Sequence, residues 1–146
     1  SPIMAAVYAS RGQSGLVYTS HEGMDELAPT GPVSVWEIRD GRVDESEFDP
    51  TVDLGLEAIT VGQLKGGTPD TNANAFREFL AAKDVPSRTT VLLNAASAIV
   101  ADGHLVGAGT LASRFADAYR LAEEAVDSGK AEALFNKWIE TAQSKR

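Results

Sequence analysis

The residues of this chain best suited to chemistry are two adjacent carboxylates, Asp25 and Glu26, in the run Gly23-Met24-Asp25-Glu26. Carboxylate oxygens suit a hard divalent cation, and Mg²⁺ typically binds through one or two of them together with substrate phosphates. The pair follows a short apolar run, Gly15-Leu16-Val17-Tyr18-Thr19, which reads as a fully buried strand. In α/β sheets ligands gather beyond the carboxyl ends of the strands, where such a loop would lie. On the dipeptide alone, the simpler reading is a solvated acidic pair in a turn before Leu27.

The other candidates are weaker. Gly66-Gly67-Thr68-Pro69-Asp70-Thr71-Asn72 is a Gly-rich turn entering a helix, where backbone N–H groups can meet an anion. Its spacing matches neither a phosphate loop nor a dinucleotide fingerprint, and a turn with a helix cap explains it more simply. His21 stands beside the acidic loop and has the chemistry of a base or a phosphate donor, although a surface role is commoner; His104 follows a helix stop and reads as exposed. Asn94 falls inside the apolar run Leu92-Leu93-Asn94-Ala95-Ala96, so its amide needs partners, expected to be a neighbouring backbone or loop. Thr19 and Ser20 end the strand, but no Ser-His-Asp order can be assembled around them. Arg11, Arg39, Arg42, Arg88 and Arg114 are scattered along the chain without a cluster that would hold a phosphate. These residues supply no nucleophile, no catalytic residue and no identifiable substrate contact.

Composition removes whole classes. The 146 residues include no cysteine and carry a formal charge of −8. There is no disulfide framework, no thiolate nucleophile and no Cys-ligated zinc. The lack of cysteine fits a reducing, cytoplasmic setting. The acidic balance repels phosphate backbones, so nucleic acid is not expected as a partner. No apolar run approaches the roughly 20 residues that cross a bilayer, so no membrane role is expected. With 43% hydrophobic and 23% charged residues the chain is of ordinary globular composition.

The elements that must position these residues follow from periodicity. Ile3, Met4, Val7 and Tyr8 recur at helical spacing, and Gly12 supplies a stop. Val33-Ser34-Val35-Trp36-Glu37-Ile38 alternates and meets Asp40-Gly41, a hairpin signal leading into Arg42-Val43. Residues 48–67 are irregular, broken by Pro50, Gly55, Gly62 and the Gly66-Gly67 pair. The remainder is helical. Asp70 or Thr71 can cap a helix with Ala73, Phe76 and Leu80 on one face. Pro86 and Ser87 open a second, apolar from Val91 to Ala101 and so expected to be buried on every side, stopping at Asp102-Gly103. Thr110 begins a third, with Phe115, Ala118, Leu121, Ala122 and Val126 inward; Lys130 to about Gln143 forms a fourth, with Leu134, Trp138 and Ile139 inward. The fold class is α/β: short strands and a hairpin followed by about four helices. So meagre a sheet beside so apolar a helix points to the C-terminal part of a larger domain, with more chain expected upstream.

The ordered set GMDEL-x-PTGP, VWEIRDGRV, DLGL, GG-x4-NA, VLLNAA and AxxAVDSGKAEALFNKW, spread over essentially the whole chain, resembles anthranilate phosphoribosyltransferase. The resemblance implies a nucleoside phosphorylase/phosphoribosyltransferase-type catalytic domain. It implies transfer of phosphoribosyl from phosphoribosyl pyrophosphate to the amine of anthranilate, in tryptophan biosynthesis, by an enzyme that pairs as a homodimer. It also implies Mg²⁺ at the pyrophosphate, with Asp25 and Glu26 in the places of the family's metal-binding carboxylates. Thr19-Ser20 stand where the family carries a His-Gly pair, and Thr71 stands where a Glu often precedes Asn-Ala. The family's Gly-Thr-Gly-Gly-Asp loop and its helical domain have no counterpart in residues 1–146, which on their own are expected to be inactive. Two other readings share parts of this pattern: a pyrimidine nucleoside phosphorylase-like enzyme, and a non-catalytic binding or assembly module derived from such a fold.

Overall fold

The computed structural model describes residues 2–145. Helix α1 (Pro2–Ser10) leads into three antiparallel strands, β1 (Gly15–Ser20), β2 (Val33–Arg39) and β3 (Arg42–Phe48). A single turn α2 (Pro50–Asp53) and a 3₁₀ turn (Val61–Leu64) cross to four helices: α3 (Pro69–Leu80), α4 (Arg88–Asp102), α5 (Leu111–Asp127) and α6 (Lys130–Ser144).

The sheet is a meander in the order β1-β2-β3, with Tyr18 opposite Val35 and Ile38 opposite Val43. Asp40 and Gly41 both take positive φ, 52° and 73°. The two-residue turn expected from Asp-Gly therefore sets the hairpin register. Period-2 alternation makes β2 two-faced. Trp36 and Ile38 meet Ala5 of α1 on one side, and Val33 and Val35 enter the main core on the other. That core continues through Phe48, Leu93, Ala96, Val100, Phe115 and Ala118. Phe48 and Phe115 stack with ring centroids 4.5 Å apart, joining the end of the sheet to α5. A second cluster, including Phe79, Leu80, Val85, Leu92 and Val126, holds α3 and the helix ends.

Several expectations are corrected. Strand β1 is half-buried rather than fully buried: Leu16 and Tyr18 face the core and Val17 faces α1, but the strand lies at one edge of the described sheet. Helix α3 is capped neither by Asp70 nor by Thr71; Thr68 is the N-cap, its hydroxyl accepting the Thr71 N–H, because Pro69 occupies the first helical position. Phe76 lies on its exposed side, edge-on to Phe135 at 5.0 Å. Helix α4 is not enclosed all round, since Val91, Ala95 and Ala98 face outward while Leu92, Leu93, Ala96 and Val100 pack on β1 and α5. On α6 the inward stripe is Ala131, Phe135 and Ile139, whereas Leu134 and Trp138 are 69% and 66% exposed. Five apolar positions over two and a half turns span more than one face, and only contact with α3 and α5 selects between them.

Candidate functional site

Asp25 and Glu26 lie in the loop between β1 and β2, and both are exposed. The loop is fixed at its two ends. On the β1 side the Gly23 N–H donates to the Ser20 carbonyl and the Glu22 N–H to Ser20 Oγ, forming a tight turn completed by Gly23 at φ 80°. On the β2 side Leu27, Ala28 and Pro29 are fully buried, with Leu27 in the main core. An apolar plug directly after two acids lets the chain dive inward while the carboxylates stay in water, where an ionised group costs nothing to desolvate.

The plug is held by Asn94. Its Oδ1 accepts the Leu27 N–H at 3.2 Å, and its Nδ2 donates to the Leu27 carbonyl at 2.9 Å. Asn94 thus bonds a loop backbone, as its place in an apolar helix demands. The Thr90 carbonyl, four residues back on the same helix, accepts from Nδ2 at 2.7 Å as the expected neighbouring backbone, whereas Tyr18, whose hydroxyl donates to Oδ1 at 2.9 Å, was not legible. The signal for Tyr18 was its parity with Leu16 on β1, which turns both toward α4.

The two residues line different concavities. Asp25 lines a cleft of about 650 Å³ between α1 and β1, shared with Tyr8 and Tyr18. Glu26 lines another of about 520 Å³, closed by Val61, Lys65, Ser87 and Thr90. The ion pairs among the described residues use neither acid. Among the described residues no group of three or more His, Cys, Asp or Glu forms a ready-made cage. Two unengaged carboxylates at an open loop fit a hard cation that takes its remaining ligands from water and phosphate; they do not fit an ion that needs an all-protein shell.

The other candidates resolve as follows. His21 Nε2 lies 3.3 Å from Ser34 Oγ on β2, at the same loop, whereas His104 Nδ1 bonds Asp102 beside it. At the Gly-rich turn, Asn72 Oδ1 accepts the Gly67 N–H and Thr68 Oγ1 the Thr71 N–H, so two of the donors an anion would use are engaged within the turn. The arginines are less scattered in space than in sequence. Arg39, Arg42 and Arg114 line one recess of about 430 Å³ with the glycine-rich segment after α4. Glu37 fills the role of counter-ion there: both terminal nitrogens of Arg114 donate to it, and Arg39 adds a third contact at 3.2 Å. The hydrogen bonds from Arg114 hold the Glu37 carboxyl below its ordinary range against the opposing effect of burial, and the same bonds raise the Arg114 guanidinium.

A model of the glycosyl transferase family, a/b domain, matches residues 1–132. The anthranilate phosphoribosyltransferase of an Arthrobacter species is 47% identical over 139 residues, 95% of this chain and 39% of that protein. Among solved structures, anthranilate phosphoribosyltransferase from Thermus thermophilus superposes with a TM-score of 0.74 at 29% identity, covering 96% of this chain and 40% of that one. The Saccharomyces cerevisiae enzyme in complex with PRPP and Mg superposes with a TM-score of 0.80 at 24% identity, covering 99% and 41%. The chain therefore spans about two fifths of the length of these relatives.

Proposed function

Because this chain belongs to the glycosyl transferase family, a/b domain, we propose that its 146 residues form the C-terminal part of the α/β domain of an anthranilate phosphoribosyltransferase. The observation that carries this reading is the 47% identity to the Arthrobacter enzyme over nearly the whole chain. The reaction forms one bond and breaks one. The anthranilate amine nitrogen bonds to C1 of the ribose, the C1–O bond to pyrophosphate breaks, pyrophosphate leaves with the electron pair, and the nitrogen releases a proton.

In this reading Asp25 and Glu26 are the residues that hold Mg²⁺. When bound, the ion supplies positive charge opposite the charge that develops on the leaving pyrophosphate. The chain's own contribution is placement. The Ser20–Gly23 turn and the Leu27–Pro29 plug keep the two carboxylates at the solvent boundary, between two clefts, outside the ion pairs of the described residues. A solved complex of the yeast relative contains PRPP and Mg, which supports the choice of ion and not of the residues that hold it. The phosphate-binding Gly-rich loop, the anthranilate contacts and the homodimer interface belong to the rest of the enzyme, in a cytoplasmic setting, and the isolated 146 residues do not catalyse. Among the described residues no helix is long and apolar enough to cross a membrane.

The test follows the fluorescence of anthranilate in the presence of phosphoribosyl pyrophosphate and Mg²⁺. The complete protein that carries this segment consumes anthranilate, and the 146-residue chain alone does not. Turnover of a pyrimidine nucleoside with phosphate in place of anthranilate would replace this reading by a phosphorylase, and silence with both would leave a binding module.

A further inference from the structure

Resting on the assignment of Asp25 and Glu26 as metal-holding carboxylates, we infer that Asn94 is a positioning residue that sets their orientation through the Glu26–Leu27 peptide. The Leu27 N–H belongs to the peptide unit that follows Glu26. When Asn94 Oδ1 takes that N–H at 3.2 Å, and Asn94 Nδ2 takes the Leu27 carbonyl at 2.9 Å, the backbone torsion on the carboxyl side of Glu26 is set from α4. Two bonds to one residue, at its N–H and at its carbonyl, fix both its position and the direction between those groups, so the loop is restrained from sliding at this place.

The amide is itself pinned. Its remaining acceptor position is filled by the Tyr18 hydroxyl at 2.9 Å and its remaining donor by the Thr90 carbonyl at 2.7 Å, so all four of its hydrogen-bonding positions are in use. The orientation has one solution, because the Leu27 N–H requires an acceptor while the Leu27 and Thr90 carbonyls require donors. No other side chain of similar size offers this set: Asp would face two carbonyl oxygens with a carboxylate, and Leu would leave a buried N–H and a buried C=O unpaired.

The address of the clamp separates it from an ordinary core hydrogen bond. Tyr18 and Asp25 line one cleft, and Thr90 and Glu26 line the other. Asn94 therefore ties together the walls of both clefts and the loop between them. A carboxylate pair that must meet a metal at fixed angles gains from such a brace, since loss of an outer partner of a metal ligand typically weakens metal binding by about 10- to 100-fold.

The experiment uses the complete protein that carries this segment and measures Mn²⁺ binding in the presence of pyrophosphate by electron paramagnetic resonance. Asn94→Ala weakens Mn²⁺ binding by about tenfold or more, while kcat at saturating metal returns close to the unmodified value and exchange of the Leu27 amide accelerates. Tyr18→Phe, which removes the bond to Asn94 and the longer contact to Ser97 Oγ without opening space, weakens Mn²⁺ binding by about fivefold and decides the matter if Asn94→Ala does not fold. Phe135→Ala, at the distant α3–α6 contact, lowers thermal stability but leaves Mn²⁺ affinity unchanged. If Asp25→Ala with Glu26→Ala abolishes Mn²⁺ binding and the Asn94 and Tyr18 variants titrate like the unmodified protein, the clamp is overturned and the carboxylate assignment stands. If the double variant binds Mn²⁺ normally, the carboxylate assignment is overturned and the clamp with it.

Discussion

The carboxylate of Glu37 on β2 receives both terminal nitrogens of Arg114 on α5, each at 2.6 Å. The pair bridges the sheet and the helical layer, with 17% and 13% of the two side chains exposed. Glu37 sits on the same face of β2 as Val33 and Val35, so the alternation that buries those valines also turns a carboxylate inward. It is tolerable there because a bidentate guanidinium meets it.

Glu37→Gln should cost about 1–3 kcal/mol, since it leaves the half-enclosed Arg114 guanidinium without its counter-charge. Its pH signature is specific. Because the folded-state pKa of Glu37 lies below the ordinary 4.5, its stabilisation is present above pH 4.5 and is lost as pH falls through the folded value. Urea unfolding measured at steps below pH 4.5 should show a steeper loss of stability in the unmodified protein than in Glu37→Gln.

Phe115→Ala should destabilise by about 3–5 kcal/mol, because it removes one ring of the stacked Phe48–Phe115 pair from a site with no exposed surface. The urea midpoint should fall accordingly.

Asp25→Asn combined with Glu26→Gln should leave folding stability within about 0.5 kcal/mol, both side chains being exposed and outside any ion pair of the described residues. The same double change should remove binding of Mg²⁺-pyrophosphate to the complete protein in a calorimetric titration. A large loss of stability would mean that the acids hold the loop rather than a metal.

The inward stripe of α6 can be read by substitution. Phe135→Ala should cost about 2 kcal/mol, whereas Leu134→Ser and Trp138→Ser should each change stability by less than about 0.5 kcal/mol. The reverse ranking, seen in thermal unfolding, would put Leu134 and Trp138 against the core.

Thr68→Ala should cost about 1 kcal/mol through loss of the α3 cap, and Asp70→Ala only a few tenths through the helix dipole. Circular dichroism melts of the two variants distinguish the true cap from its neighbours.

Local chemistry determined much of this protein from sequence alone. Asp40-Gly41 prescribed a hairpin turn, because few residues tolerate two consecutive positive φ angles; Gly103 and Thr110 prescribed a helix stop and a helix start; the apolar surroundings of Asn94 demanded hydrogen-bond partners. The ordered motifs from Gly23 to Trp138 pointed to the family that the match over residues 1–132 shows. Tertiary structure decided what depends on residues far apart in sequence. Leu134 and Phe135 are adjacent and both strongly apolar, and only packing on α3 and α5 leaves one exposed and the other half-buried. Arg39 and Arg114 read as scattered until β2 and the start of α5 bring them to one carboxylate, Glu37. The loop position of Asp25 and Glu26 was legible, but not the hydrogen bonds of Asn94 to the residue that follows them. Asn94 lies 67 residues from Leu27 and 76 from Tyr18, and hydrogen bonds over such separations leave no period in the sequence, because they are made by the packing of α4 against β1 and not by any local propensity.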